Sequence, residues 1–170
     1  MSIKDKDLKE KFLNFYTEDL EQIDKLLEAF INLSKSKAIF LIDKSGNMIT
    51  KKGSFSSINP DQLSALVAGS FAATKEMARL LGESEFSVMF HQGKKDHIHI
   101  SLVGDKAIAA TVFGGDTTTG MISLYAKELS EKLGKIFDII SRRLKRKGDQ
   151  KLTNDFTDSV KDKLDDLFGD

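Results

Sequence analysis

"FSVMFHQGKKDHIHISLVGDKAIAATVF", residues 86–113, decides the fold. It holds three runs rich in β-branched and aromatic residues: 86–92, 97–103 and 107–113. Gly93-Lys94-Lys95-Asp96 and Gly104-Asp105-Lys106 separate them. Connections that short join antiparallel neighbours, because a parallel crossover needs a dozen residues or more. The three runs are therefore a meander. His97, His99 and Ser101 alternate with Ile98, Ile100 and Leu102, which predicts a strand with one exposed face. Residues 107–113 are nearly all apolar and belong at the centre of the sheet.

Upstream, "KAIFLIDKSGNMITKK", residues 37–52, reads as a hairpin. Ala38 to Ile42 is short and apolar enough for a strand buried on both faces. Lys44-Ser45-Gly46-Asn47 is turn chemistry, and Met48 to Lys51 forms the return strand.

Between hairpin and meander lies "NPDQLSALVAGSFAATKEMARLLGE", residues 59–83. Asn59 is a favoured N-cap, and Pro60, the only proline in the chain, sits where its missing N–H costs nothing. Gln62 can complete a capping box, and Gly82 suits the left-handed position after the last turn. Leu63, Leu66, Val67, Met77 and Leu81 are expected to face the sheet. Ala65, Ala68, Gly69, Ala72 and Glu76 make a second stripe at spacings of three and four. A glycine in mid-helix costs about 1 kcal/mol relative to alanine, so a small-residue stripe suggests that something must approach closely. Phe71, large and apolar, is expected near the edge of that stripe, as an interface would have it.

The remaining segments are helical. Leu20, Ile23, Leu27, Phe30 and Ile31 share a face, with Thr17 as candidate cap and Glu18 and Asp19 in the first turn. Leu8, Phe12 and Phe15 form an earlier stripe. A last helix from about Met121 to Lys145 keeps Ile122, Ala126, Leu129, Leu133, Ile136, Phe137, Ile140 and Leu144 on one face, with Thr118 or Thr119 capping. "KGDQKLTND", residues 147–155, has the composition of a linker. "FTDSVKDKLDDLFGD", residues 156–170, is a short amphipathic piece. The order is helix, strand pair, helix, three strands, helix, so the class is α+β with a five-stranded antiparallel sheet. The expected divisions are 1–16 as an extension, 17–147 as the domain, 148–157 as the linker and 158–170 as a C-terminal helix.

Composition narrows the function. Basic and acidic residues balance at 26 each, which gives no general pull toward nucleic acid or an anionic membrane. There is no cysteine, so disulfides and thiolate sites are excluded. The charged N-terminus "MSIKDKDLKEKF" is not a secretory signal, and the expectation is a cytoplasmic protein. No nucleophile-elbow spacing occurs. Gly114-Gly115-Asp116 lacks the Gly-Lys-Ser/Thr of a phosphate loop and reads as a strand-to-helix turn. His91, His97 and His99 could ligate zinc if all three met, but no acidic support is evident, so no metal is expected. "RRLKRK", residues 142–147, is read as cations offsetting the dipole of a helix end. Val160, Leu164, Leu167 and Phe168 recur at helical spacing opposite Asp162, Asp165 and Asp166. They are candidates for a docking helix.

"FLIDKSGNMI" (40–49), "LSALVAGSFAATKEMARLLGE" (63–83), "FHQGKKDHIHISLVGDKAIAATVF" (90–113), "GMISLYAKELSEKL" (120–133) and the tail "LDDLF" (164–168) together resemble the roadblock family of dynein light-chain type. The resemblance covers roughly residues 17–145 in order. It implies an α/β sandwich with the long second helix on one face of the sheet and the first and last helices on the other. It also implies a homodimer joined edge to edge through the strand at 86–92, with Phe86, Val88 and Phe90 at the interface. Members of its bacterial branch bind a GTP-loaded, MglA-type Ras-like GTPase. They stabilise its switch loops without an inserted arginine, which accords with Arg79, Arg142, Arg143 and Arg146 lying away from the small-residue stripe. Carried over, Ala65, Ala68, Gly69, Ala72, Lys75 and Glu76 contact the GTPase, and an arginine at Ala68 would block docking while sparing the fold. The tail residues Val160, Leu164, Leu167 and Phe168 become a second contact linked to nucleotide exchange. No cofactor or membrane insertion is implied, and polar placement in motility or polarity control would come through the partner. The rival readings are a non-activating scaffold and a PAS- or GAF-like small-molecule sensor whose pocket residues 65–73 would line.

Overall fold

A computed structural model describes residues 3–104 and 106–168, and within them the side chains of 19–104, 106–148 and 154–167. Asp105 and the side chains of Leu8, Phe12, Phe15 and Phe168 lie outside that description. The elements run α1 (Ile3–Ser34), β1 (Ala38–Asp43), β2 (Met48–Gly53), α2 (Pro60–Leu80), β3 (Val88–Gln92), β4 (His97–Val103), β5 (Ala107–Phe113) and α3 (Thr119–Phe168). The chain divides into two compact units, Met1–Ile136 and Phe137–Asp170, and α3 contributes to both.

In the first unit the five strands form one antiparallel sheet in the order β2-β1-β5-β4-β3. The apolar strand β5 is at the centre and buried throughout, as its composition predicts. Ala38, Phe40 and Ile42 of β1 share a face with Ile100 of β4 and with Ile108, Ala110 and Val112 of β5. Val67, Ala68 and Phe71 of α2 pack on that face. The opposite face carries Ile39 and Leu41. There Asp24 of α1 accepts a hydrogen bond from Thr50 and pairs with Lys52, and Ser123 of α3 meets His99. Helices thus cover both faces. This corrects the expectation for β4: its polar face is not exposed, because His99 and Ser101 lie beneath α3 and are buried.

Local chemistry explains the helix ends. The Asn59 carboxamide accepts from the Gln62 backbone N–H at 3.1 Å with Pro60 behind it. The chain leaves α2 through Gly82 at φ +82, with Glu83 N–H donating to the Ala78 carbonyl and Gly82 N–H to that of Arg79, a closing pair that satisfies the last carbonyls. Thr118 caps α3 by accepting from Met121 N–H at 3.2 Å. Thr17, by contrast, lies inside α1 and starts no helix.

Residues 148–157, read as a linker, are helical, because α3 runs unbroken from Thr119 to Phe168. The stretch contains no proline, and a single Gly148 costs only about 1 kcal/mol, too little to stop a helix whose other residues tolerate it. The same continuity removes the end-of-helix role of Arg142 to Lys147, which stand mid-helix and exposed. In the second unit Phe137 and Ile140 are buried, while Leu144, Phe156, Val160, Leu164 and Leu167 are exposed. No described helix is long and apolar enough to cross a membrane.

Candidate partner-binding site

The two faces of α2 divide its residues differently from the sequence reading. Ser64, Val67, Ala68, Phe71 and Ala78 face the sheet and are buried. Ala68 is only 7% exposed, so it is a core residue and does not belong to an open stripe. Its smallness has a local cause. The β1–β2 turn is drawn in by the Asp43 carboxylate, which accepts from the Ser45 and Asn47 backbone N–H groups at 2.9 Å each. Gly46 at φ +92 then sits so close to α2 that a Cβ there would stand 3.3 Å from the Ala65 Cα and 3.3 Å from the Ala68 Cβ. Part of the small-residue pattern therefore makes room for this chain's own hairpin. Phe71 likewise packs inward on the core.

The exposed arc of α2 comprises Ala65, Leu66, Gly69, Ala72, Ala73, Glu76, Met77 and Leu80, with Lys75 beside it. Leu66 is 63% and Leu80 79% exposed, and Met77 and Leu81 are also open to solvent. Leu66, Met77 and Leu81, expected against the sheet, are surface residues. Sequence reasoning assumes that all the bulkier side chains point inward, and here Val67 and Phe71 do while Leu66, Met77 and Leu81 do not. No heavy atom beyond its own helix and chain neighbours lies within 4 Å of where a Gly69 Cβ would stand. Arg79 at the end of the helix donates to Glu76 at 3.0 Å.

Beside this arc runs the sheet edge β3. Its Met89 packs under α2, with the Thr74 hydroxyl 2.9 Å from the Met89 sulfur. Val88 and Phe90 point to the other face and are exposed, and Phe86 precedes the strand half-buried. The Phe90 ring stacks 6.0 Å from that of Phe113, with His97 against both. No Lys, Arg, Asp or Glu occurs in β3, whereas the opposite edge β2 carries Lys51 and Lys52.

The three histidines do not meet. Register pairs His91 with Ile98, on the α2 side, while His97 and His99 face the other way. Among the described residues no group of three metal-ligating side chains converges. At the end of the sheet, Lys37 donates to Asp96 at 2.6 Å, and that hydrogen bond holds the Asp96 carboxyl below its ordinary range.

In the second unit, Val160, Leu164 and Leu167 stand on one helical face, as their spacing predicts, and are exposed. Phe156, four residues before Val160, extends the stripe. The expected linker takes it in, although its i, i+4 relation to Val160 is legible in the sequence.

Among curated proteins, none matches the sequence. The profile of the Roadblock/LC7 domain matches residues 22–113. Among solved structures the chain is similar to Myxococcus xanthus MglB, at 33% identity and a TM-score of 0.70 over 74% of this chain and 94% of that one. It is also similar to the gliding protein MglB of Thermus thermophilus, at 32% identity and a TM-score of 0.64 over 68% and 88%. A third similar structure is an MglB with a tetrameric arrangement, at 29% identity and a TM-score of 0.66 over 71% and 90%. With the five-stranded antiparallel sheet, its helix-covered faces and this match over more than half its length, the chain belongs to the Roadblock/LC7 domain family.

Proposed function

We propose that this protein is a homodimeric GTPase-activating regulator of a small Ras-like GTPase of the MglA type, and that it has no active site of its own. The observation that carries the reading is the open apolar arc of α2, Leu66-Gly69-Ala73-Met77-Leu80, on a chain whose similar solved structures are MglB proteins. An apolar helix face left in water is the usual mark of a docking surface. Ala65, Gly69, Ala72, Lys75 and Glu76 belong to this dock, with Leu66 added. Ala68 acts only from beneath.

Two copies join through β3, where an uncharged edge strand offers unpaired backbone groups to a second strand. Val88, Phe90 and Phe86 then become interface residues. Activation proceeds by ordering the switch regions of the GTPase. Arg79, the one arginine on α2, stands in the last turn of the helix, and the mechanism proposed uses no inserted arginine. The tail stripe Val160, Leu164 and Leu167, with Phe168, supplies a second contact that aids nucleotide exchange.

The test is GTP hydrolysis by the MglA-type GTPase of the same source, with this protein at substoichiometric amounts. Acceleration of turnover is expected. Binding without acceleration would replace the activator by a scaffold, and absence of binding would remove the GTPase as partner.

A further inference from the structure

Three polar side chains, His99, Ser101 and Thr111, are buried on one face of the sheet, the face on which Ser123 of α3 meets His99. His99 is 2% exposed. Its Nε2 lies 3.4 Å from the hydroxyl of Ser123, in the second turn of α3. Its Nδ1 is buried and has no hydrogen-bond partner. A neutral imidazole has one N–H and one lone pair, so Ser123 satisfies one nitrogen and leaves the other bare. An imidazolium has two donors and would bring an unpaired charge into the same space, which is far more costly.

Among the described residues, none offers that charge a counter-ion. Across the ladder His99 faces Phe90 on β3 and Thr111 on β5, both uncharged. Along β4 the neighbouring side chains on this face are His97 and Ser101, and neither is a carboxylate. On α3, Ser123 is neutral and Lys127, one turn further, is a cation. Helix α1 lies over β1 and β2.

We propose that His99 is a proton-sensitive latch for the start of α3: neutral, it seats the first turns of that helix on β4, and protonated, it releases them. Strands β3 and β5 hold their places through backbone ladders. The start of α3 is held on this face by the buried Ile122 and Ala126 as well as by Ser123. Its first residues Thr119, Gly120 and Met121 are exposed, and its polar tie to the sheet is the Ser123–His99 contact.

Burial keeps the ring of the seated form below the ordinary value of 6.5. The seated state is therefore fully favoured above pH 6.5 and loses ground as pH falls through the range between 6.5 and the depressed value. If the released ring titrates near the ordinary 6.5, falling from pH 7.5 to 5.5 favours release by up to about tenfold.

The test is amide hydrogen exchange of the full chain at pH 7.5 and 5.5, corrected for intrinsic rates. Residues 119–126 should lose up to about tenfold in protection at pH 5.5, with β5 unchanged. In the His99→Gln variant, where a carboxamide can still bond Ser123 but does not titrate, the difference should vanish. Persistence of the difference in that variant, or unchanged protection in the natural chain, would overturn the latch. Should His99→Gln fail to fold, the His99 ring signal of the natural chain decides: its titration must track the loss of protection. The experiment involves no GTPase, so its outcome is independent of the proposed function.

Discussion

Gly69→Ala separates what α2 needs for its own stability from what it needs for association. Glycine in the middle of a helix is less favourable than alanine by roughly 0.8–1.0 kcal/mol. The α2 backbone is helical at Gly69, and a Cβ there meets nothing within 4 Å. The variant should therefore be more stable by about 1 kcal/mol, which raises the melting temperature by roughly 2–4 °C for a chain of this size. Association should respond in the opposite direction. A methyl group inserted into a close-packed contact typically costs about 1–3 kcal/mol, and every 1.4 kcal/mol is tenfold in affinity, so binding should weaken by roughly 5- to 150-fold. Gly134→Ala is the control, because Gly134 is also helical with open space around it. It should give a similar gain in stability with no loss of binding. Thermal unfolding reads the first effect, titration against the GTP-loaded GTPase the second, and sedimentation shows whether the close neighbour is instead a second copy. A Gly69→Ala protein that is stabilised, binds normally and assembles normally would refute the idea that the glycine is there for close approach.

Other substitutions test the rest of the placement. Ala68→Arg should unfold or severely destabilise the chain, losing more than about 3 kcal/mol in denaturant titration, because it buries an unpaired charge against the β1–β2 turn. Gly46→Ala should cost about 1–3 kcal/mol, since its φ of +92 suits only glycine and its Cβ would press on the Ala65 backbone. Val88→Lys should shift sedimentation toward the monomer while leaving circular dichroism unchanged, as a charge blunts a sheet edge. The Asp96 carboxyl is held below its ordinary range by Lys37. Its contribution is therefore present above pH 3.8 and lost as pH falls through the lowered value. Asp96→Asn should remove that segment of the acid unfolding curve, and the effect will be small because the pair is exposed.

Strand order, hairpin turns and the caps of α2 were legible because each depends on local chemistry: a short polar turn, an Asn before a Pro, a Gly after the last turn. The facing of α2 was not. Periodicity shows that a helix has two stripes, but not which one meets the sheet when both are apolar. Here the decision comes from Gly46, far up the chain from Ala68, whose turn leaves no room for anything larger. β4 misled for a related reason. Alternating His and Ser is what a solvated face looks like, and nothing within residues 97–103 says that α3 will cover it. The linker at 148–157 was read from polarity, yet polar residues without proline serve a helix as well as a loop.

The two sheet edges are protected to different degrees. Both β2 and β3 end the same sheet, so both carry rows of backbone groups with no strand beyond them. On β2 the exposure is managed: Lys52 pairs with Asp24, and Lys51 lies over the Phe55 ring. β3, with the sequence Val-Met-Phe-His-Gln, has no such protection. It is also the edge to which α2 is tied through Thr74 and Met89, so the unprotected edge and the unburied apolar arc adjoin. A sheet edge alone would attract any strand, and an apolar arc alone could serve any partner. Their adjacency favours a partner that completes both together. A second copy, as proposed above, would do so, because pairing β3 with β3 would extend the sheet and bring two such arcs onto one continuous surface. On the proposed reading the GTPase docks on that doubled arc, so Val88→Lys should weaken dimer formation and docking together, whereas Gly69→Ala should weaken only the contact that Gly69 itself makes.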